Sequence, residues 1–207
     1  MKHYRLSFLG FGNVGRTLAR LLTAKRDDLR ECYGVEFEFC GVATRRMGWL
    51  YADDAIDATA FLEGREAFRG STDGIHDWIA KARPDVLFET TSLNPQNGQP
   101  AIGYIRAALE ANAHVITANK APIVYAYDEI NELAKTRGRR FLFESTVLDS
   151  APVFSLFRET SPLMKVRGFS RNVALSAFWI KVGAAAMLPF FVFWLWSVSR
   201  MDVPSLP

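Results

Sequence analysis

The stretch YRLSFLGFGNVG, from Tyr4 to Gly15, decides how this chain folds. Its first half, from Tyr4 to Leu9, is apolar and aromatic enough to form a buried strand. Three glycines follow in a GxGxxG pattern: Gly10, Gly12 and Gly15. Apolar residues then recur at helical spacing as far as about Lys25: Val14, Leu18, Leu21 and Leu22. The order is therefore a strand, a glycine turn and a helix.

Each glycine of the turn has a predicted role. Gly10 makes the tight turn, Gly12 lets the backbone approach a pyrophosphate, and Gly15 lets the helix pack closely on the strand. The helix N-terminus then meets the phosphates. The alternative is a glycine turn that only joins a strand to a helix. The position of the pattern, at the start of a βαβ unit, favours dinucleotide binding.

Strands and helices alternate along the next part of the chain. Further strands are predicted at 35–43, 86–89, 114–117 and 140–144. Helices are predicted at 53–62, 74–81, 101–112 and 122–137, with Gly138 as a C-cap, and 90–100 is a polar loop. The second strand alternates at first and is then continuously apolar, so we expect its C-terminal half to be buried on both faces. This order predicts an α/β fold, Rossmann-like and doubly wound, with a mainly parallel sheet over residues 1–150.

The composition sets limits on function. With 207 residues and 49% hydrophobic content, the chain can bury one substantial core but is too short for two full domains. The net charge of +3 comes from scattered basic residues, which argues against nucleic-acid binding. Cys32 and Cys40 form no CxxC motif and no cluster with the three histidines. This pattern argues against structural zinc and predicts a reducing, cytoplasmic compartment.

The end of the second strand predicts the coenzyme. An acid there binds the ribose 2′-hydroxyl of NAD, whereas an arginine accommodates the 2′-phosphate of NADP. Here the strand ends in Ala43-Thr44-Arg45-Arg46, with no acid at the tip. We therefore predict a preference for NADP, with NAD possible. The alternative is a pair of solvated loop arginines.

Lys120 follows the fourth strand, at the carboxyl end of the sheet where ligands of this fold bind. A lysine there can neutralise a developing alkoxide or pass a proton beside the nicotinamide. The alternative is a solvated surface charge.

Four segments together resemble homoserine dehydrogenases. They are GFGNVG at 10–15, ETTSLNPQNGQPAI at 89–102, HVITANKAP at 114–122 and FESTVLDSAPVFSLFRE at 143–159. Their order and spacing match over about residues 4–170, and the TANK and FExTV segments are far more specific than the glycine loop.

The resemblance implies an NAD(P)-dependent interconversion of aspartate semialdehyde and homoserine, a step toward threonine and methionine. It also implies site residues. The pyrophosphate would bind Phe11, Gly12, Asn13 and Val14, and the 2′-phosphate would bind Arg45. Thr91 and Ser92 would lie beside the nicotinamide, and Lys120 would contact coenzyme and substrate as the catalytic residue in proton transfer.

A monovalent cation, usually sodium, is also implied by the resemblance. Its ligands would be mainly backbone carbonyls of Glu144, Val147, Asp149 and Ala151. Two positions depart from the family pattern, because Ala121 and Ser150 stand where the family usually has glycine. If either backbone needs a positive φ, the substitution strains the loop.

The last part of the chain departs from the resemblance. Residues 151–170 are interpreted as the start of an incomplete catalytic domain, and 171–207 as an atypical apolar tail. The tail lacks the family's asparagine-threonine motif, acidic residue and second lysine, and it resembles translation in a shifted frame. The alternative is a membrane anchor over 178–198. The shifted-frame interpretation predicts impaired catalysis, because hydride transfer needs the substrate held against the coenzyme.

Two classes of function remain open. The first is an NADP-dependent homoserine dehydrogenase acting on a small-molecule substrate, with a related enzyme for another aldehyde as a variant. The second is a non-catalytic NADP-binding module, with a membrane-tethered redox sensor as one form of it. A homo-oligomer is compatible with both.

Overall fold

A computed structural model describes residues 1–56, 58–63, 70–146 and Ser155 of the chain. The strands in this part are β1 (Lys2–Leu9), β2 (Val35–Thr44), β3 (Gly48–Ile56), β4 (Gly70–Thr72), β5 (Val86–Glu89), β6 (His114–Thr117) and β7 (Phe141–Leu142). The helices are α1 (Asn13–Ala24), α2 (Arg26–Tyr33), α3 (Ala58–Glu63), α4 (Ile75–Ala82), α5 (Ala101–Glu110) and α6 (Ala121–Thr136), followed by a 3₁₀ turn at Glu144–Thr146.

The seven strands form one sheet in the order β4-β3-β2-β1-β5-β6-β7. The pairings from β2 through β1, β5 and β6 to β7 are parallel, and β3 and β4 are antiparallel. The chain moves outward from β1 to β2 and later returns to β5 on the other side of β1. The strand order therefore reverses between β1 and β5, where ligands of such sheets bind. The predicted α/β, Rossmann-like, mainly parallel fold is confirmed.

Helices cover both faces of this sheet, as a doubly wound fold requires. Leu6 and Phe8 of β1 pack with apolar residues of α1, α2 and α3 on one face. Leu9 packs with α4, α5 and α6 on the other face. Successive side chains of a strand point to opposite faces, so one apolar strand serves both layers. Burying each such side chain contributes about 1.5–3 kcal/mol before the entropy cost of ordering it.

A β-bulge in β2 explains the change of pattern along that strand. The parallel register joins Leu6 to Phe39 and then Ser7 to Gly41, so Cys40 is the extra residue. An extra residue reverses which side chains face each layer. Strict alternation therefore ends at the bulge, and the residues from Phe39 to Ala43 are all buried. This agrees with the prediction that the second half of the strand is buried on both faces.

The helix predicted at 53–62 is wrong over its first half. The chain stays extended to Ile56 as β3, and only Ala58–Glu63 is helical. After a tight turn that follows Thr44, β3 pairs antiparallel with β2. Trp78 of α4 stabilises β3 by donating from Nε1 to the Leu50 carbonyl at 2.7 Å. The sequence analysis also missed α2 and β4. Helix α2 is highly polar and buries only Leu29, so its periodicity is weak.

The strand predicted at 140–144 is shorter than expected. Only Phe141–Leu142 pairs with β6, and a 3₁₀ turn begins at Glu144. The Arg140 N–H donates to the His114 ring instead of extending the ladder, and the Thr146 N–H closes the turn onto the Phe143 carbonyl. Gly138 follows α6 at the predicted cap, where its N–H donates to the Lys135 carbonyl at 2.9 Å.

His114 should titrate well below the usual range of a histidine. Burial, together with the charges of Arg139 and Arg140, lowers its pKa from 6.5 to about 4. The Arg140 N–H donates to Nδ1 at 2.9 Å, which requires that nitrogen to be unprotonated. Because the folded pKa is depressed, this contribution to stability is complete above pH 6.5 and is lost as the pH falls toward 4. NMR titration of the imidazole signals should show one transition near pH 4.

The variant His114→Gln should lose that transition, whereas His3→Gln should keep it. A wild-type spectrum in which the His114 imidazole titrates near pH 6.5 would contradict its burial.

Candidate functional site

Gly10 joins the carboxyl ends of three strands. Its N–H donates to the Ala43 carbonyl of β2 at 2.8 Å, and its carbonyl accepts a hydrogen bond from Thr90 Oγ1 at 2.7 Å. Its φ is +84°, and a Cβ at this position would lie 2.5 Å from the Thr90 carbonyl oxygen. Both the backbone conformation and the contact therefore require glycine. The result is a fixed turn between β1, β2 and β5.

The N-terminus of α1 opens from this turn. A Cβ at Gly15 would lie 2.9 Å from the Gly10 carbonyl oxygen, so the helix packs directly on the strand end. A Cβ at Gly12 would meet nothing within 4 Å. The helix begins at Asn13 without a side-chain cap, which leaves its first N–H groups without acceptors inside the helix. Exposed N–H groups and the positive end of the helix dipole can hold an anionic group there.

Phe11 can contact such an anion through its backbone but not through its side chain. Its ring is buried and packs edge-on against Phe8 and Phe61. Arg16, which the sequence analysis did not single out, lies 5.0 Å over this ring and donates from Nε to the Phe11 carbonyl at 3.2 Å. Arg16 also donates to the Leu62 carbonyl, so it fixes the outer wall of the turn.

Arg45 and Arg46 lie at the tip of β2, in the three-residue turn that leads to β3. Both side chains are exposed, and neither forms an ion pair with a described residue. The Met47 N–H donates to Thr44 Oγ1 at 2.9 Å, which tightens the turn. Because Gly10 bonds to Ala43, the arginines begin two residues from the glycine turn, on the side of β1 away from β5.

A buried carboxylate lies on the other side of β1. Glu89, the last residue of β5, has no exposed surface, and its oxygens accept hydrogen bonds from Thr91 and Thr117. Burial raises the pKa of Glu89 above its usual value of 4.5, and the hydrogen bonds from Thr117 and Thr91 offset part of the rise. The sequence analysis treated Glu89 only as a strand end. An acid that closes a fully apolar strand was the available signal.

Lys120 lies at the N-cap of α6, directly after the β6 end. Its side chain is half-buried, and its Nζ forms no hydrogen bond or ion pair with the described residues. A cation is disfavoured at a helix N-terminus, so this position does not stabilise the fold. Thr91 is half-buried and Ser92 is exposed at the neighbouring β5 end. The structure thus places Lys120, Thr91 and Ser92 along one edge of the sheet.

The substitution at Ala121 causes no backbone strain. Ala121 is the first residue of α6 and is not among the described non-glycine residues with positive φ. A helical φ suits alanine as well as glycine, so the family's glycine is not required here. Ser150, the second departure, lies outside the described residues.

The four residues assigned to the cation are only partly described. Glu144 is buried, and its carboxylate accepts hydrogen bonds from the Ser155 N–H at 2.9 Å and Oγ at 3.1 Å. Val147, Asp149 and Ala151 lie outside the described residues, as do the tail at 171–207 and the anchor considered at 178–198. Among the residues that the structure does describe, no three His, Cys, Asp or Glu side chains gather into a metal site. Nor is any helix of that part long and apolar enough to span a membrane.

Comparisons with known proteins agree on one family. The family model "Homoserine dehydrogenase, NAD binding domain" matches residues 10–144. The homoserine dehydrogenase of Sulfurisphaera tokodaii is 32% identical over 167 residues, which is 79% of this chain and 50% of that protein. An NAD(+)-dependent homoserine dehydrogenase of Pseudomonas canavaninivorans is 29% identical, over 82% of this chain and 50% of its own length.

A solved structure gives the same result. A hyperthermophilic archaeal homoserine dehydrogenase mutant in complex with NADPH superimposes with a TM-score of 0.63 at 26% identity, over 77% of this chain and 49% of that one. The chain spans about half the length of the curated relatives it matches.

Replacing Gly10 should be far more costly than replacing another glycine of similar φ. Gly10→Ala adds a Cβ 2.5 Å from the Thr90 backbone, whereas Gly34→Ala, at φ +65°, meets nothing within 4 Å. We expect Gly34→Ala to lower the free energy of unfolding by about 1 kcal/mol, from the left-handed backbone alone. Gly10→Ala should lower it by about 3 kcal/mol or more, because the two backbones must separate. Urea unfolding followed by circular dichroism measures both, and equal losses would contradict the close approach.

Proposed function

This chain belongs to the homoserine dehydrogenase family, and on that premise we propose that it binds NADP and serves the interconversion of homoserine and aspartate semialdehyde. The single observation that carries the proposal is the glycine turn at Gly10, which opens the N-terminus of α1 where the strand order reverses. Such a turn leaves unpaired N–H groups facing a crevice, and a pyrophosphate can accept from them.

The strand order determines how the dinucleotide would lie. The pyrophosphate binds the backbone of Phe11, Gly12, Asn13 and Val14, above β1. The adenosine half extends toward the tip of β2, and the nicotinamide half extends over the ends of β5 and β6. Thr91, Ser92 and Lys120 then contact the nicotinamide half. The open space around Gly12 supports this assignment, since nothing lies within 4 Å of a Cβ placed there and a ligand can approach the backbone.

Arg45 supports a preference for NADP. Family membership alone leaves the choice open, because one relative is named as NAD(+)-dependent and one solved structure holds NADPH. In this chain the β2 tip carries Arg45 and Arg46 without an acid, and no described carboxylate pairs with either. A guanidinium free of ion pairs can bind a 2′-phosphate through two parallel hydrogen bonds.

Lys120 is the residue that we assign to the chemistry. Bound NADP⁺ supplies the acceptor for the hydride that leaves the alcohol carbon of homoserine. The hydroxyl of that alcohol must lose its proton as the aldehyde forms. Lys120 Nζ hydrogen-bonds the substrate oxygen, stabilises the charge that develops on it and passes the hydroxyl proton on to solvent water. Its position at the β6 end, free of ion pairs with the described residues, supports this role.

A sodium ion is part of the same proposal. The carbonyl oxygens of Glu144, Val147, Asp149 and Ala151 would hold it, and oxygen donors suit a hard cation. Among the described residues, the only support is at Glu144. A 3₁₀ turn begins there after β7, and the Ser155 N–H donates to the Glu144 carboxylate. The ion would stabilise that segment, and no proton or hydride passes through it.

A reducing, cytoplasmic setting belongs to the proposal as well. Cys32 and Cys40 are both free thiols. Burial raises the pKa of Cys40 to about 11, so its thiol stays protonated at neutral pH and resists oxidation.

The second candidate is a module that binds NADP without turnover. The described elements favour it because they form the coenzyme side of the crevice. Among the described residues, Lys120 is the one that we assign to the chemistry. The two candidates agree on coenzyme binding and differ in turnover.

Arg45→Ala should weaken NADPH binding much more than NADH binding. Loss of the contact to the 2′-phosphate should raise the Kd for NADPH about tenfold or more, since hydrogen bonds between charged groups contribute about 1.5–3 kcal/mol. The Kd for NADH should barely change. Fluorescence titration with both coenzymes measures the ratio of the Kd for NADPH to the Kd for NADH. Arg46→Ala is the matched control and should have a smaller effect on the same ratio, and equal losses for NADPH and NADH in Arg45→Ala would count against the phosphate assignment.

Lys120→Ala should abolish turnover while leaving the fold intact. NADPH formation from NADP⁺ and homoserine is followed at 340 nm, and we expect the rate of the wild-type chain, itself expected to be low, to fall at least about a hundredfold in Lys120→Ala. Lys135→Ala, on the exposed side of α6, is the matched control and should keep the wild-type rate. Wild type that binds NADPH but never reduces NADP⁺ would favour the non-catalytic module. Unchanged turnover in Lys120→Ala would remove that lysine from the mechanism.

A further inference from the structure

The Glu89 carboxylate connects two loops that the sheet itself leaves separate. Oε1 accepts hydrogen bonds from both the N–H and the hydroxyl of Thr91, the former at 2.9 Å. Oε2 accepts a hydrogen bond from Thr117 Oγ1 at 2.6 Å. One side chain thus holds the start of the 90–100 loop and the end of β6.

The connection continues from Thr117 to the turn that carries Lys120. Thr117 Oγ1 accepts a hydrogen bond from the Asn119 N–H at 2.9 Å, and Asn119 Oδ1 accepts one from the Ala121 N–H at 3.2 Å. Lys120 lies between these two bonded residues. Its backbone is therefore fixed by a chain of hydrogen bonds that begins at Glu89.

This network lies below the nicotinamide half of the crevice. Glu89 pairs in register with Leu9 of β1 on one side and with Thr117 of β6 on the other. The adenosine half of a dinucleotide would extend the opposite way, over β2. The carboxylate has no described contact with the β2 tip, so its influence falls on one half of the coenzyme.

A purely structural role does not account for a carboxylate at this point. The rest of β5 is apolar and fully buried, and an apolar side chain would avoid the cost of placing a carboxylate away from water. No described cation pairs with Glu89. The hydroxyls that the carboxylate contacts, those of Thr91 and Thr117, lie at the two strand ends that border the crevice.

We propose that Glu89 is a positioning residue for the nicotinamide half of the coenzyme. Its carboxylate holds Thr91 at one end, and through Thr117 and Asn119 it holds the turn that presents Lys120. The inference rests on the proposed function, because that function places the nicotinamide over β5 and β6.

The test compares two ligands that differ in the nicotinamide half. NADPH carries it, whereas 2′-phospho-ADP lacks it and keeps the adenosine, the 2′-phosphate and the pyrophosphate. The variant is Glu89→Gln, which keeps the volume but replaces one acceptor oxygen with an NH₂ donor. Because Thr91 and Thr117 donate to different oxygens of Glu89, one of the two loses its acceptor. We expect the Kd for NADPH to rise about fivefold or more, the size of one lost hydrogen bond, and the Kd for 2′-phospho-ADP to stay unchanged.

A second pair of variants tests the connection at Thr117. Thr117→Val removes the hydroxyl at nearly constant shape and should give the same selective loss of NADPH binding. Thr117→Ser keeps the hydroxyl and should restore most of the affinity. Thr136→Val, at the exposed end of α6, removes a hydroxyl far from the crevice and should affect neither ligand. This pair keeps the proposal testable if Glu89→Gln does not fold.

The outcomes separate the two proposals. If wild-type chain binds neither ligand, the proposed function fails, and the inference fails with it. If wild type binds both, but Glu89→Gln and Thr117→Val weaken both ligands equally or neither, only the positioning role is overturned. A loss restricted to NADPH, with rescue by Thr117→Ser, supports it.

Discussion

The close approach of two backbones, at Gly10 and Thr90, is the constraint on which the site depends. A Cβ at Gly10 would lie 2.5 Å from the Thr90 carbonyl oxygen, and Thr90 in turn donates through its N–H to Leu9 and through its hydroxyl to Gly10. These contacts bring the ends of β1 and β5 together at the point where the strand order reverses. The same turn sets the start of α1, so the position of the helix N-terminus follows from a contact between strand ends.

The order of strands then separates three kinds of chemistry along one edge of the sheet. Exposed arginines stand at the β2 tip, open N–H groups follow β1, and hydroxyls with a buried carboxylate lie at β5 and β6. Each group is suited to a different part of a dinucleotide: a phosphate, a pyrophosphate and an uncharged or cationic ring. The arrangement is a consequence of topology, because residues distant in sequence become neighbours only through parallel pairing.

Local patterns predicted much of this fold, and non-local contacts account for what they missed. The glycine turn, β1, β5, β6, α5 and α6 follow from periodicity and from glycine and proline positions within a few residues. Strand β3 was missed because its extended form depends on pairing with β2. Its own residues Asp53 and Asp54 do not indicate a strand, since aspartate is rare in strands. Glu89 was missed for a similar reason, since one of its partners, Thr117, lies 28 positions away in the chain. The assignments at Arg45, Lys120 and Glu144 stay predictions.

The bulge in β2 also has a practical consequence for studying this chain in solution. It places the Cys40 thiol in the sheet interior, beside the Ser7 hydroxyl at 3.1 Å and shielded from solvent. Cys32, the only other cysteine in the sequence, is exposed on α2, at the amino end of β2 and away from the crevice. Maleimide dyes should therefore label one position without mutagenesis, and the attached fluorophore would not obstruct ligand entry. The unmodified sequence thus already contains a single attachment point for spectroscopy.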